Sequence, residues 1–540
     1  MVPGGARRLD WHVLLPGPRE PVSDHWLLLG PDPGLSRLAV ELELAGFVAS
    51  VIDDAEPADV VGLLHSAATS LDDAIRSLAP GGYLYWEIDR RSLRTIAMSP
   101  GRACRRVRAA GLEPCGVYLV GHGWARPSRF LPAQHGGPVG WYLETSSRWT
   151  RPVRGTLWRI LHGRTVASWL ARLLAPRFSV IAAARDAEPA TTPAVLRHPS
   201  LPASIQSTVV PPILVTGGQE PWARLTLLAF AEDGSEPSAI LKVGRLAAYD
   251  EATRNEHAVL VELCAKLDDA TRSTLPEPIA LIEVGRRPVS VQGVLRGTSA
   301  LARMRGRSRS RTTAWHDLSR TADWLIALER QTARARVTPG SPDWIAHVDD
   351  SLSRFTDAFG QQPEVDRLFR DLVDQAAAAG AELPIVRCHR DLGPWNVLVE
   401  GDSVRVVDWE VARDGPALTD LVYASIHWTF EAQGLANEAD RRRELRGLFS
   451  GQENGDAGPS SVRAVIRRSI DALRIDQRLV PPLVVLTMVG QALDRFDRLA
   501  RVGRADRRPW LDNRYAGYVA ELASFDDGWI GDPTRCVGRA

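Results

Sequence analysis

The chain has 540 residues, more than one hydrophobic core usually organises, so we expect roughly two to four domains. Its formal net charge of +1 gives no general reason to expect nucleic acid or an acidic polymer as a partner. The 5 cysteines are scattered without a C-x-x-C pair, which argues against a disulfide framework or a zinc site and is typical of a reducing, cytoplasmic setting.

The first predicted elements, within residues 1–147, alternate between strands and helices. An apolar run from His25 to Leu29 leads into GPDPG, then into a segment with helical spacing and the apolar VASVIDD. The pattern continues with ADVVGLL, a helical stretch to Leu78, the turn APGG, the strand YLYWEID, and a further helix and strand in GRACRRVRAAGLEPCGVYLV. This alternation favours an α/β domain with a parallel, doubly wound sheet over about residues 20 to 145.

Part of this domain resembles the Rossmann-like methyltransferases that use S-adenosylmethionine. The resemblance rests on the glycine turn after the first strand, on Asp53 and Asp54 at the end of the second, and on LAPGGYLYWEI. It implies S-adenosylmethionine as a cofactor. However, Pro31 and Pro33 stand where that family needs backbone N–H groups and close approach to the ligand. Two interpretations stay open: a cofactor-binding domain, and a scaffold that keeps the fold without the cofactor.

Residues 148–205 are rich first in arginine and then in proline. Between residues 148 and 185 there are 8 arginines and no acidic residue, interleaved with apolar side chains. This segment is either an amphipathic helix in peripheral contact with an anionic membrane or a partner, or a helix packed between domains with a solvated arginine face. The following AEPATTPAVLRHPSLPAS has linker composition. No uninterrupted apolar run of about 20 residues occurs, so we expect no transmembrane segment.

From residue 206 onward the pattern predicts a different fold class, α+β. The segments ILVTGG, ARLTLLAF and SAILKVGR predict consecutive strands of an antiparallel meander, NEHAVLVELCAKL predicts a helix, and PIALIEVGRRPVSVQGV returns to strands. The region after residue 297 is mostly helical. A small sheet with one helix over residues 206–296, followed by a helical region over 297–540, suggests two lobes with a cleft between them.

The segment CHRDLGPWNVLVEGDSVRVVDWE, residues 388–410, collects polar side chains among apolar ones. Two short predicted strands allow Asn396 and Asp408 to face each other across a hairpin, with Asp391 on a loop between a helix and a strand. Two carboxylates and an amide oxygen suit Mg²⁺, which binds few side chains and completes its shell with substrate phosphates. The segment therefore predicts magnesium together with phosphate.

Lysine is rare in this chain, since Lys242 and Lys266 are the only two. Arginine can replace a generic surface charge but not a compact ammonium group. Lys242 lies in the predicted strand AILKVGR. Its retention there suggests a specific role.

The C-terminal part resembles the aminoglycoside phosphotransferase and choline kinase family, which has the two-lobed kinase-like fold. The resemblance rests on H-x-D-x-x-x-x-N, then V-V-D-W-E, then GPALTDL, in that order over residues 388–421, and it extends more weakly over 213–540. It implies transfer of the γ-phosphoryl group of ATP or GTP, with Mg²⁺, to the hydroxyl of an aminoglycoside-, sugar- or choline-like small molecule.

The same resemblance implies roles for individual residues. Asp391 corresponds to the catalytic carboxylate that orients the acceptor hydroxyl and takes its proton. Asn396 and Asp408 correspond to the magnesium ligands. His389 corresponds to a structural residue that braces the loop through hydrogen bonds, and Asp420 to one that ties down the backbone after the metal-binding strand.

Upstream, the resemblance implies a nucleotide site. Lys242 occupies the position of the lysine that pairs with the nucleotide phosphates, and Glu256 that of the helix acid that holds it. The loop VTGGQEPWAR offers Gly217 and Gly218 for phosphate contact, although it lacks G-x-G-x-x-G. Arg390 replaces the glycine that is common in these small-molecule kinases.

We expect the acceptor pocket among the C-terminal helices. Trp395, Trp428, Glu410, Asp414 and Glu431 could receive a polar or cationic molecule there, although tryptophan on a helix is more often a core residue.

Two other functions remain open. The chain could be a methyltransferase whose kinase-like part only binds a ligand, or a non-catalytic scaffold that binds nucleotide. Affinity for S-adenosylmethionine that Asp53→Ala abolishes would favour the first.

Overall fold

The computed structural model describes residues 6–17, 25–29, 49–50, 57–64, 71–91, 95–121, 128–145, 175–187, 190, 192–206, 210–218, 220–231, 236–305, 311–449, 457–501, 513–525, 529 and 532–537. The chain divides into two compact units, Met1–His257 with Pro278–Val294, and Ala258–Glu277 with Leu295–Ala540.

A twelve-stranded sheet organises the first unit, in the order β11-β12-β10-β9-β8-β6-β5-β7-β4-β3-β1-β2. Its strands are β1 Trp26–Leu29, β2 Ala49–Ser50, β3 Ala58–Leu63, β4 Leu78–Asp89, β5 Glu113–Gly121, β6 Arg129–Pro132, β7 Arg177–Ala183, β8 Ile213–Thr216, β9 Arg224–Phe230, β10 Pro237–Gly244, β11 Pro278–Val284 and β12 Arg287–Gln292.

The helices of this unit lie between its strands in the order of the chain. They are α1 Leu71–Arg76, α2 Pro100–Ala109, α3 Gly136–Thr145, α4 Ala203–Gln206 and α5 Asp250–Lys266, the last belonging to this unit as far as His257, together with 3-10 helices at Ala6–Leu14, Ala194–Arg197 and Ala247–Tyr249.

The N-terminal half of the sheet is mixed, so the prediction of a parallel sheet was wrong in part. Strands β2, β1, β3 and β4 are parallel neighbours. Strand β7, however, lies antiparallel between β4 and β5, and β6 is antiparallel to β5. The predicted glycine turn and the acids Asp53 and Asp54 lie outside the described residues, so the methyltransferase-like features stay a prediction.

The assignment of residues 148–205 to a helix and a linker also needs correction. Arg177–Ala183 forms the strand β7, and all of its residues are buried. A strand covered on both faces lacks the alternation of buried and exposed residues that marks a half-exposed strand, so the sequence does not distinguish it from a buried helix. The arginine-rich residues 148–174, including the predicted membrane-contact helix, lie outside the described residues.

Strands β8, β9 and β10 form the antiparallel meander that the sequence predicts, and after helix α5 the strands β11 and β12 add an antiparallel pair in which β12 lies next to β10. This meander continues the N-terminal sheet, because β8 pairs with β6 through Phe130 opposite Leu214 and Arg129 opposite Val215. Val210, Ile213 and Phe230 form a small buried cluster beside this junction, against which Leu131 and Trp141 pack. The N-terminal half and the meander are therefore one sheet.

The second unit is mainly helical. Its helices are α6 Asp269–Arg272, α7 Ala300–Arg305, α8 Arg311–Thr332, α9 Pro342–Trp344, α10 Asp350–Phe359, α11 Pro363–Ala379, α12 Thr419–Gln433, α13 Glu438–Phe449, α14 Ala457–Leu473, α15 Val480–Ala500, α16 Arg514–Ala523 and α17 Thr534–Val537, with a π-helix at Ile345–Asp349 and a 3-10 helix at Gln477–Leu479.

Two three-stranded sheets accompany these helices, in the orders β13-β16-β17 and β14-β15-β18. Their strands are β13 Thr298–Ser299, β14 Ala335–Val337, β15 Leu383–Cys388, β16 Val397–Glu400, β17 Ser403–Val406 and β18 Arg413–Pro416.

Helix α15 lies at the centre of the helical core, in contact with α10, α12 and α16. With the turn before it, Gln477–Ala500 is long and apolar enough to span a membrane, but 78% of its most apolar window is buried inside the protein. This burial is what a central helix of a helical core requires.

Candidate active site

The loop between β15 and β16 carries the candidate catalytic residues. The element before this loop is the strand β15, which lies in the centre of its three-stranded sheet. The prediction of a helix before the loop was therefore wrong. Arg390 has a φ of 67°, in the left-handed region. Glycine adopts that region most easily, which gives a physical reason for glycine at this position in the resembled family. Arg390 is held there by its Nη2, which donates to Asp494 at 2.7 Å.

Asp420, near the start of α12, fixes the beginning of the loop. Its carboxylate accepts the backbone N–H groups of His389 at 2.5 Å and of Arg390 at 2.7 Å. Burial raises the pKa of Asp420, while His389 and these two N–H groups act in the opposite direction. Asp420 therefore holds the backbone at the start of the catalytic loop, whereas the sequence predicted that it holds the backbone after the strand that leads to Asp408.

His389 is fully buried and links the loop to the segment after β17. Its Nδ1 lies 3.2 Å from the backbone N–H of Asp391, which donates to it, and its Nε2 lies 3.0 Å from the carbonyl oxygen of Val407. These contacts require the tautomer with the proton on Nε2. Its ring also packs edge-on against Trp409, with the ring centroids 4.7 Å apart. His389 is therefore placed to position Asp391.

Asp391 lies at the centre of a hydrogen-bond network. Its Oδ1 accepts the Tyr423 hydroxyl at 2.8 Å, and its Oδ2 accepts the side-chain amide of Asn396 at 3.0 Å. The indole N–H of Trp395 lies 3.5 Å from Oδ2. Burial raises the pKa of Asp391, against the lowering effects of His389 and of the Tyr423 hydroxyl. A carboxylate fixed in this way has one defined orientation.

Asn396 and Asp408 lie at the open end of the hairpin formed by β16 and β17. Val397 pairs with Val406, and the N–H of Val407 donates to the carbonyl of Asn396 at 3.0 Å. The amide nitrogen of Asn396 donates both to the Asp391 carboxylate and, at 2.8 Å, to its carbonyl. The amide oxygen of Asn396 is consequently the atom that remains for a cation.

This donor set fits a magnesium ion. Asp408 is partly exposed and is close enough to Asp391 for its charge to raise the pKa of that residue. One amide oxygen and one carboxylate are hard ligands of the kind that Mg²⁺ prefers. Among the described residues, no group of three or more His, Cys, Asp and Glu side chains could hold a metal ion. Phosphate oxygens and water would have to supply the other ligands.

In the first unit, Lys242 of β10 and Glu256 of α5 contact each other. The Nζ of Lys242 donates to Oε1 of Glu256 at 2.8 Å, and Glu256 is fully buried. The second carboxylate oxygen of Glu256 accepts a guanidinium N–H of Arg224 in β9. The sequence did not indicate Arg224, because it is one of many arginines in the chain. Its register opposite Gly244 of β10 becomes visible only in the structure. The role of this cluster in nucleotide binding stays a prediction.

Gly217 and Gly218 follow β8 and begin the connection to β9, whose described residues 217, 218 and 220–223 are here called the glycine loop. The N–H of Gly217 donates to the carbonyl of Arg224 at 3.1 Å, and a Cβ on Gly217 would lie 2.9 Å from that oxygen. A side chain at position 217 therefore has no room. At Gly218 a Cβ would meet first the side chain of Glu220, which could move. The close approach of the Arg224 carbonyl explains why residue 217 is glycine, but no backbone contact of this kind explains the glycine at position 218.

Of the aromatic residues predicted for an acceptor pocket, one is a core residue. Trp428 is fully buried and donates its indole N–H to the carbonyl of Ala314 at 3.0 Å. Trp395 is partly exposed and lies beside Asp391. The sequence did not single out Tyr423 or Tyr515, whose hydroxyls lie 3.2 Å apart and extend the network of Asp391.

The acids predicted for the same pocket each face a guanidinium group. Asp414 lies 3.0 Å from Arg334, Glu431 lies 2.7 Å from Arg305, and Glu410 lies 4.0 Å from Arg498. Their charges are thus largely compensated within the second unit. The described residues give less attraction for a cationic acceptor than the sequence suggested.

The sequence also matches a known family. Residues 228–457 match the model of the phosphotransferase enzyme family. This range includes Lys242, Glu256, Asp391, Asn396 and Asp408. A search of curated proteins found no match.

Several solved structures are similar to part of the chain. A choline/ethanolamine kinase family protein from Mesorhizobium loti is 16% identical over 61% of this chain and 97% of its own, with a TM-score of 0.31. Glucosamine kinase in complex with glucosamine, ADP and inorganic phosphate is 18% identical over 53% and 75%, with a TM-score of 0.33. An aminoglycoside phosphotransferase from Alicyclobacillus acidocaldarius subsp. acidocaldarius is 15% identical over 56% and 87%, with a TM-score of 0.31.

TM-scores of this size are too low to support a conclusion about function. The family model covers less than half of the chain, and it leaves the N-terminal residues 1–227 unmatched. The C-terminal part of the chain therefore matches the phosphotransferase enzyme family, and this match supports a kinase-like fold for that part.

Proposed function

We propose that this protein transfers the γ-phosphoryl group of ATP or GTP to a hydroxyl group of a small molecule. The observation that carries the proposal is the network around Asp391. That carboxylate is oriented by Tyr423 and Asn396, and the amide oxygen of Asn396 is left for a cation beside Asp408. Phosphoryl transfer depends mainly on positioning and electrostatic stabilisation, which such an arrangement supplies.

In this proposal Asp391 accepts a hydrogen bond from the acceptor hydroxyl and takes its proton as the new bond to phosphorus forms. Its raised pKa favours proton acceptance over that of an ordinary exposed carboxylate. Asn396 and Asp408 would hold Mg²⁺, which when bound neutralises charge on the phosphate groups. His389 and Asp420 position the loop without contacting the substrate.

In the first unit, Lys242 would bind nucleotide phosphate. Glu256 is buried and accepts bonds from both Lys242 and Arg224, so it fixes the ammonium group at one end of the strand. The glycine loop would contribute backbone groups to the same nucleotide. The acceptor would be a polar, sugar-like, choline-like or aminoglycoside-like molecule, and the cytoplasm would be the place of action.

A thermal-shift titration tests the proposal without knowledge of the acceptor. A nucleotide present at about 100 times its Kd stabilises the folded state by about 2.7 kcal/mol. We expect Mg²⁺ with ATP or GTP to raise the melting temperature of the wild type, and Asp408→Ala to weaken this shift. The matched control is Asp402→Ala, because Asp402 is an exposed acid in the turn of the same hairpin.

The thermal-shift assay together with an acceptor screen distinguishes the two alternatives from the proposal. A methyltransferase would show a shift with S-adenosylmethionine, and a non-catalytic scaffold would bind nucleotide without turning over any acceptor in a screen. No shift with either nucleotide would contradict the proposal. Equal shifts in wild type and Asp408→Ala would contradict the assignment of Asp408.

A further inference from the structure

A buried ion pair joins the N-terminal segment to the end of β10. Asp10 lies in the 3-10 helix Ala6–Leu14, and Arg245 directly follows Gly244. The guanidinium donates Nε to Oδ1 at 2.9 Å and Nη2 to Oδ2 at 3.0 Å, so the pairing is bidentate. Asp10 is 1% exposed and Arg245 is 2% exposed. Removing either partner of such a buried ion pair leaves the other charge without compensation for its desolvation, which is strongly destabilising.

The third nitrogen of the same guanidinium binds the glycine loop. Its Nη1 donates to the carbonyl of Gly218 at 3.1 Å and to the carbonyl of Glu220 at 2.7 Å. The base of the loop is closed by two backbone bonds, Gly217 N–H to Arg224 and Arg245 N–H to Ala223. Arg245 therefore restrains the loop beyond its base. A planar fork is suited to this task because its donors are fixed relative to one another.

Asp10 is itself anchored on the N-terminal half of the sheet. Its neighbour Trp11 is 1% exposed and stacks on Tyr85 of β4, with centroids 4.0 Å apart and the rings 6° from parallel. Trp11 also packs at 5.3 Å against Trp26 of β1. Packing in the N-terminal half thus sets the position of the Asp10 carboxylate. The carboxylate in turn holds the Arg245 guanidinium, which binds the glycine loop.

We propose that Asp10 is a positioning residue for nucleotide binding, which it supports by orienting Arg245 and through it the carbonyls of Gly218 and Glu220. The inference rests on the proposed phosphotransferase function. The N-terminal segment then forms a part of the nucleotide site, although it lies outside the range of the family match. Loss of the Asp10 charge leaves the guanidinium buried without its counter-ion, and the loop loses its fixed shape.

The test compares Asp10→Asn with a matched control, Asp89→Asn. Asp89 is also a buried acid, 5% exposed, and pairs with Arg177 at 2.8 Å. It lies in β4, and three strands separate β4 from β8 in the sheet. Affinity for Mg²⁺ with ADP is measured by calorimetry. We expect Asp10→Asn to raise the Kd at least about tenfold and Asp89→Asn to change it less than about twofold, while both lower the melting temperature.

Amide hydrogen exchange provides a readout that needs no nucleotide. Peptides covering residues 217–224 should exchange at least about tenfold faster in Asp10→Asn than in the wild type and the Asp89→Asn control. If Asp10→Asn does not fold, Arg245→Lys serves instead, since it keeps the charge but loses the fork. Asp10→Glu should restore part of the affinity.

The outcomes separate the inference from the proposed function. If the wild type binds nucleotide and Asp10→Asn binds it equally well with unchanged exchange, the positioning role is wrong while the phosphotransferase proposal stands. If both variants weaken binding equally, Asp10 acts only through stability, which also overturns the role. If the wild type binds no nucleotide, the proposed function fails and the inference fails with it.

Discussion

Glu329 provides a quantitative test of the environment behind the catalytic loop. It lies on α8, is 2% exposed, and its Oε1 accepts the backbone N–H of Leu418 at 3.1 Å, two residues before Asp420. Burial raises the pKa of Glu329 from 4.5 to about 8, with a further raising contribution from Asp420 and a lowering one from the Leu418 N–H. The folded protein therefore keeps this acid neutral at neutral pH.

The sign of the pH dependence follows from linkage. Because the folded pKa lies above the unfolded value of 4.5, unfolding releases a proton between these two pH values. The stabilising contribution is fully present below about pH 4.5 and is lost as the pH rises towards 8. One pH unit within this window costs about 1.4 kcal/mol, so an increase from pH 5.5 to 7.5 costs about 2.7 kcal/mol.

Glu329→Gln removes the titration and keeps the acceptor for the Leu418 N–H. Urea unfolding of wild type and variant at pH 5.5, 6.5 and 7.5 should show the wild type losing about 2.7 kcal/mol relative to the variant across this range. Other titrating groups contribute to both proteins and cancel in the difference. Glu382→Gln is the control for exchanging glutamate for glutamine, because that side chain is 56% exposed. Parallel pH dependences of wild type and Glu329→Gln would refute the reasoning.

Two further predictions concern the proposed site. Asp391→Asn should fold normally and lose phosphotransfer at least about a hundredfold, measured as product formation with any acceptor that the wild type uses, and undiminished activity would exclude Asp391 as the base. Gly217→Ala should weaken binding of Mg²⁺ with ATP, because the added Cβ would lie 2.9 Å from the carbonyl of Arg224. Calorimetry checks this, Gly218→Ala serves as the milder control, and equal affinities would show that the loop adapts.

The candidate site residues form a pattern that is local in the sequence. Asp391, Asn396 and Asp408 are close in the chain, and the hairpin between them uses short apolar strands with a turn at Gly401, which has a φ of 57°. Chemistry that needs defined residue types at defined spacing leaves such a local pattern. The structure places these residues together, while their roles stay proposals.

Contacts between distant segments could not be predicted in the same way. Asp10 and Arg245 are separated by 235 positions, and nothing near Asp10 distinguishes it from a surface acid. Strand β7 follows a long connection and enters the sheet between two strands that precede it in the chain. Periodicity reports which residues are buried, but not which strand they pair with.

The pairing of β8 with β6 decides whether the two halves of the first unit are separable. In the meander alone, β8 would be an edge strand, and the backbone groups of Ile213–Thr216 that face β6 would lack partners. The apolar side chains Ile213 and Phe230 would lose the cover of Leu131 and Trp141. The same separation would remove Asp10 from Arg245 and leave a buried guanidinium unpaired, at a cost of about 3–5 kcal/mol. Separating the two halves would therefore cost backbone pairing, apolar packing and a buried ion pair. The N-terminal half is thus a structural part of the sheet that carries Lys242, and not an appended module.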